Sequence, residues 1–199
     1  EFFKVNFENV LTLLWVMSTR LFTSRSSKAN QLSKSVEQIG DRMKMTTLCY
    51  ISRRDENDEE WILLLYRNRK ANDQNEGKWI GVGGKFQTNE SPDECMIREV
   101  LEETGLGILH YQYRGIVTFV SNQYETEYMH IFTADEFEGT LQDCKEGTLH
   151  WVRKSEVLSK PTWEGDRVFL TKLLNDHDFF SVKLTYDGEK LIEIEDYNY

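Results

Sequence analysis

Three glutamates, Glu99, Glu102 and Glu103, follow directly on Arg98. In a helix, at 100° per residue, they stand at i, i+3 and i+4 and share one face. Like charges placed that close repel and raise one another's pKa values. A hard cation with oxygen ligands relieves the repulsion, and magnesium bridging carboxylates to a substrate phosphate is the usual case. Arg98 stands four residues before Glu102, where it can pair with the cluster and orient it. Taken alone, the three glutamates also fit a solvated acidic helix face. The preceding Gly83-Gly84 permits close backbone approach in an extended segment, where a carbonyl could complete a coordination shell.

The element that must carry these side chains is clearly punctuated. Ser91 is placed to cap a helix, Pro92 fits its first position, and Glu94 completes a capping box. Gly105 supplies the C-terminal stop. A helix is therefore predicted over residues 91–104. On its wheel Ile97, Val100, Leu101 and Thr104 form the packing face, with the glutamates opposite. Residues 46–53 and 61–67 read as strands around a charged turn, followed by a polar loop and an extended glycine-rich run over residues 79–86. Further strands are predicted over residues 111–121, 125–133 and 148–152. A helix is predicted over residues 166–175, then a hairpin of 180–186 and 190–194 around Asp187-Gly188.

Composition bounds the partners. Of 199 residues, 39% are hydrophobic and 29% charged, a globular balance that excludes disorder and needs no disulfide to bury a core. The net charge of −10 speaks against nucleic acid as a partner. It still allows a small phosphorylated substrate whose cations supply positive charge locally. Cys49, Cys95 and Cys144 are odd in number and widely spaced, which suits a reducing cytoplasm. Residues 1–44 differ from the rest, with seven basic residues against four acids. Their one apolar run, residues 10–17, is too short to span a bilayer. This leader is expected to be dispensable, either foreign to the domain or an amphipathic appendage, with the domain over residues 45–199. Neither membrane attachment nor an obligate protein partner is expected. No phosphate-binding G-x-x-x-x-G-K-[ST], G-x-S-x-G or H-E-x-x-H occurs, and His110, His130, His150 and His177 are scattered.

Gly84, Glu90, Arg98, Glu99, Val100, Glu102, Glu103, Gly105 and Leu106 fit the Nudix box, G-x5-E-x7-R-E-U-x-E-E-x-G-U with U aliphatic, without a departure across 23 residues. The chain resembles the Nudix hydrolases. Over residues 45–194 it is similar to the 8-oxo-dGTP diphosphatases of MutT type. Gly77-Lys78-Trp79, Glu146 ahead of Trp151, and Trp163-Glu164-Gly165-Asp166 carry this second likeness. The resemblance implies an α/β fold: an α/β/α sandwich with a mixed curved sheet. It implies magnesium, replaceable by manganese, held by the Gly84 carbonyl and by Glu99, Glu102, Glu103 and Glu146. Catalytic roles fall to Arg98, Glu99 and Glu102, and purine binding to Trp163 and Asp166. The implied reaction turns 8-oxo-dGTP into 8-oxo-dGMP and pyrophosphate, sanitising the nucleotide pool.

Three readings of the residues stay open. Trp163 is either a core aromatic or a stacking platform, Asp166 either a helix-start acid or a base-reading acid, and Glu146 either a loop acid or a ligand. Lys70 and Lys85 are either solvated or phosphate-binding. Some relatives carry two adjacent acids after the tryptophan, where this chain has Gly165-Asp166, and some have Asn where Ile80 stands. A Nudix hydrolase of ADP-ribose or a dinucleoside polyphosphate is the alternative activity, and a non-catalytic module a third. Relatives acting on ADP-ribose resemble one another in prolines after the box, and here none lies between Pro92 and Pro161.

Overall fold

A computed structural model describes residues 43–70 and 73–198; apart from its last two residues, the leader lies outside them. Strand β1 (Lys44–Arg54) forms an antiparallel hairpin with β2 (Glu60–Tyr66). After a loop, β3 (Trp79–Ile80) pairs with the end of β2, and the chain then runs beside β1 through bridges Cys49↔Val82 and Thr46↔Lys85. Helix α1 (Pro92–Thr104) follows, then β4 (Leu106–Ser121), β5 (Glu127–Gly139) and β6 (Thr148–Arg153). A 3-10 turn (Lys154–Ser159) precedes helix α2 (Asp166–Leu174) and the hairpin β7 (Phe180–Asp187) and β8 (Lys190–Asn198). The sheet order is β3-β2-β1-β5-β4-β7-β8, with β6 beside β2. The β1/β5 and β4/β7 pairs are parallel and the others antiparallel, so the sheet is mixed.

Alternation along β1 sends side chains to two cores. Cys49 and Ile51 pack with Met96 and Val100 of α1 and Phe132. Tyr50 packs on the other face with Ile62, Leu64, Phe169 and Leu170. Each helix therefore covers one face, giving the α/β/α sandwich that the resemblance implied. Register shifts between Ile108 and Gly115 bend β4. They also break the alternation there, which is why the sequence reading began this strand at residue 111, five residues late.

Helix α1 has the expected ends. The Ser91 hydroxyl accepts from Glu94 N–H, the Glu94 carboxylate accepts from Ser91 N–H, and Gly105 stops the helix at φ 75°. The packing face needs correction. Cys95, Met96, Val100 and Thr104 are buried, whereas Ile97 and Leu101 are 39% and 52% exposed. The helix is rotated so that its Glu99–Glu103 row lies against the glycine segment instead of facing away from the packing. Burial of Met96 and Val100 contributes about 1.5–3 kcal/mol each, enough to fix this rotation. Among the described residues, no helix is long and apolar enough to cross a membrane.

Candidate active site

The glycine segment positions the chemistry because Gly83 and Gly84 have no side chains to interpose. Its backbone is clamped to β1: Thr47 N–H donates to Gly84 O at 2.9 Å and Cys49 N–H to Val82 O at 2.7 Å. A Cβ on Gly83 would stand 2.1 Å from the Thr47 carbonyl oxygen, and one on Gly84 would stand 2.4 Å from the Glu99 carboxyl carbon. Only glycine lets helix α1 lay its carboxylates on this strand. Gly83 N–H donates to Glu103 Oε2 at 3.3 Å.

Arg98 holds the outer half of the acid row. Its guanidinium grips Glu90 in a fork, with Nε 2.5 Å from Oε1 and Nη2 2.8 Å from Oε2. Nη1 reaches Glu99 at 2.7 Å and Glu102 at 3.4 Å, and Nη2 donates to the Lys85 carbonyl at 3.1 Å. Hydrogen bonds from Arg98 and then from Gln87 N–H hold the Glu90 carboxyl down at about 2. Glu90 thus anchors Arg98, and Arg98 is placed to orient Glu99.

The inner half is crowded. Burial, then the charges of Glu146 and Glu99, push the Glu103 carboxyl up to about 8, against the Gly83 N–H and Arg67. Glu146 reaches the cluster from the loop before β6, paired with Arg67 and lying 3.5 Å from Lys70 Nζ. Arg67 also binds Asp73 at 2.6 Å. The sequence reading missed Arg67; its signal was a lone basic residue ending a strand ahead of the glycine segment. Among the described residues no three Asp, Glu, His or Cys side chains converge closely enough to hold a metal together. Glu99 and Glu102 turn to Arg98, and Glu146 turns to Arg67. The donor set still fits a hard divalent cation: every candidate ligand is an oxygen, and Glu103, raised by burial first and by the Glu146 and Glu99 charges after it, would be stabilised in its charged form by a cation beside it. The Gly84 carbonyl accepts from Thr47 N–H and lies 3.8 Å from the Cys95 thiol, a weak donor that a cation would displace.

On the other face of the sheet, Trp163 and Asp166 lie buried together, joined by the bond from Asp166 N–H to Trp163 O at 3.1 Å. Trp163 is only 6% exposed and packs edge-on against Phe119, Tyr124 and Tyr186. Its indole N–H donates to Asn75 Oδ1 at 2.8 Å, and Lys78 Nζ lies 4.2 Å from the centre of its ring. Trp163 is therefore a core aromatic with one face covered by a lysine. Stacking of a base requires Lys78 to move. Asp166 opens α2 yet is buried, so it is more than a solvated helix-start acid. Thr162 hydroxyl donates to it at 2.7 Å. Burial pushes its carboxyl up to about 6, while the Thr162 bond and nearby Lys78 favour the charged form. Lys78 and Gly84 belong to one short segment, which joins Trp163 to the acid row. A cavity of about 560 Å³ lies elsewhere, lined by Tyr50, Arg54, Arg114, Lys154 and Leu173. It contains none of the acid row.

Residues 43–173 match the family model described as the NUDIX domain. The chain is 29% identical over 136 residues to an uncharacterised Nudix hydrolase, YvcI, of Bacillus subtilis (strain 168), covering 66% of this chain and 82% of that one. It is 33% identical over 128 residues to the oxidized purine nucleoside triphosphate hydrolase of Danio rerio, covering 60% and 81%. The crystal structure of a mutator MutT protein from Bacillus halodurans superposes with a TM-score of 0.67 at 27% identity, covering 77% of this chain and 97% of that one.

Proposed function

This chain belongs to the NUDIX domain family and is a Nudix hydrolase, and from that premise we propose that it hydrolyses oxidised purine nucleoside triphosphates to the monophosphate and pyrophosphate. The observation that carries the choice of substrate is buried Asp166, whose carboxyl lies at about 6. Near neutral pH such a group can either accept from a purine N–H or, protonated, donate to it. A polar group left unpaired by the wrong base is what allows strong discrimination. The likeness to the hydrolase of Danio rerio, named for oxidised purine triphosphates, supports the same reading.

The Gly84 carbonyl with Glu99, Glu102, Glu103 and Glu146 would hold magnesium, or manganese in its place. Bound there, the cation supplies charge screening for the polyphosphate and acidifies water. Arg98 fixes Glu99 through the contacts given above. Glu102, exposed and held by a single 3.4 Å contact, accepts the proton of the attacking water, and Glu99, fixed by Arg98, stands beside it. Arg67 keeps Glu146 beside Glu103, and the glycine segment sets the spacing between the acid row and the Trp163 side of the sheet. The substrate is a free nucleotide in the cytoplasm, and no nucleic acid or membrane is involved.

The test is a panel of 8-oxo-dGTP, dGTP, ADP-ribose and a dinucleoside polyphosphate, scored by kcat/KM with magnesium. The expected result is highest kcat/KM for 8-oxo-dGTP, abolished by a chelator. A higher value for ADP-ribose moves the assignment to the alternative activity. Equal values for 8-oxo-dGTP and dGTP remove the sanitising role.

A further inference from the structure

We propose that a purine base is held in a cup at Trp163 and Asp166, opened when Lys78 leaves the indole face, and that Glu127 is its second acid, selecting with Asp166 a purine that presents N–H donors on two of its edges. The inference rests on the proposed function. Of the two acids after Trp163, Glu164 is exposed and only Asp166 is buried beside the indole, and the structure offers a further carboxylate from another strand.

The placement follows from strand register. Glu127 opens β5 and lies directly opposite Phe119 of β4, so the two side chains share a face. Phe119 belongs to the α2-side core and touches Trp163, with ring centroids 5.8 Å apart. On the other flank, β5 runs parallel to β1, pairing Thr46 with Met129. Thr46 hydroxyl donates to Glu127 Oε1 at 2.8 Å. Met129 and Leu48 pack against the same core. Thr46, Leu48, Phe119, Glu127, Met129, Trp163 and Asp166 thus belong to one side of the sheet. Glu127 is half-buried there. Among the described residues, its second oxygen meets no donor. Asp166 senses the Glu127 charge, which opposes its ionisation.

The chemistry of the base follows. A carboxylate only accepts hydrogen bonds, so a base held between two of them must donate twice. Guanine donates from N1 and N2 along one edge. Oxidation at C8 places a further hydrogen on N7, on the opposite edge. Unoxidised guanine presents a lone pair at N7, which a carboxylate repels. Selection then comes from a repulsive contact as much as from an attractive one. Pyrimidines lack the second edge at that reach.

The test is calorimetric titration of the full chain, in EDTA, with 8-oxo-dGMP and with dGMP. Monophosphate binding reports the cup without needing the acid row. The wild type is expected to prefer 8-oxo-dGMP. Glu127→Gln, which keeps an acceptor for Thr46, should weaken 8-oxo-dGMP about ten- to a hundred-fold and dGMP by less than about three-fold, with melting temperature unchanged. Glu127→Met serves the same purpose should the glutamine variant fold poorly. A wild-type preference that persists in a folded Glu127 variant overturns the inference and leaves the proposed function standing. A wild type without preference overturns both.

Discussion

Replacing Asp166 by asparagine should change how stability depends on pH. The Asp166 carboxyl is raised from 3.8 to about 6, chiefly by burial. Two units correspond to about 3 kcal/mol of preference for the protonated form in the fold. Because the folded pKa is the higher one, this stabilisation is fully present below about pH 3.8 and is lost as pH rises through about 6. About 2 kcal/mol of the change falls between pH 4.5 and 7.5 by the same linkage. Asparagine cannot ionise, so the variant lacks this slope. Its amide still accepts from Thr162, but its N–H group needs a partner, an offset of about 1–3 kcal/mol that does not vary with pH. Urea unfolding of both proteins at pH 4.5 and 7.5 isolates the effect, because other titrating groups cancel in the difference. The asparagine variant should gain about 2 kcal/mol on the wild type across that interval. A difference that stays flat with pH refutes the reasoning, for it means that Asp166 ionises as easily in the fold as in the unfolded chain.

Other substitutions probe the acid row and its supports. Gly84→Ala puts a Cβ against the movable end of Glu99, so unfolding free energy should fall by only about 1 kcal/mol while kcat falls about ten-fold or more; equal kcat removes Glu99 from the site. Arg98→Lys cannot make the fork to Glu90, and kcat should fall roughly ten- to a hundred-fold with little change in KM; a KM effect alone contradicts a positioning role. A chain beginning at Met43 should hydrolyse nucleotides at the full-length rate, and a folded but inactive product makes residues 1–42 a functional appendage.

The parts of the fold written in local signals were legible beforehand. Ser91, Pro92, Glu94 and Gly105 bounded α1 correctly because caps are set by neighbours in sequence, and Asp187-Gly188 marked its hairpin for the same reason. The rotation of α1 was not legible. Its wheel offers two apolar stripes, and choosing Met96 over Ile97 and Leu101 requires knowing that Gly83 and Gly84 lie under the glutamates. Trp163 and Asp166 were singled out, but Lys78 over the indole and Asn75 on its N–H come from a loop some 90 residues earlier in the chain. Glu127 comes to the Trp163 side of the sheet through the registers of β4 with β5 and β1 with β5. Such long-range partners leave no periodic trace in the sequence. Glu146 was found through family resemblance, whereas its partner Arg67 had no signal beyond its charge.

The central claim is that the carboxylate row of α1 carries the hydrolysis. Its most direct test is the turnover of 8-oxo-dGTP by Glu103→Gln with saturating magnesium, in a variant shown to melt at or above the wild-type temperature. Loss of a ligand or base contribution predicts a fall in kcat of roughly two to four powers of ten. Turnover equal to that of the wild type would contradict the account.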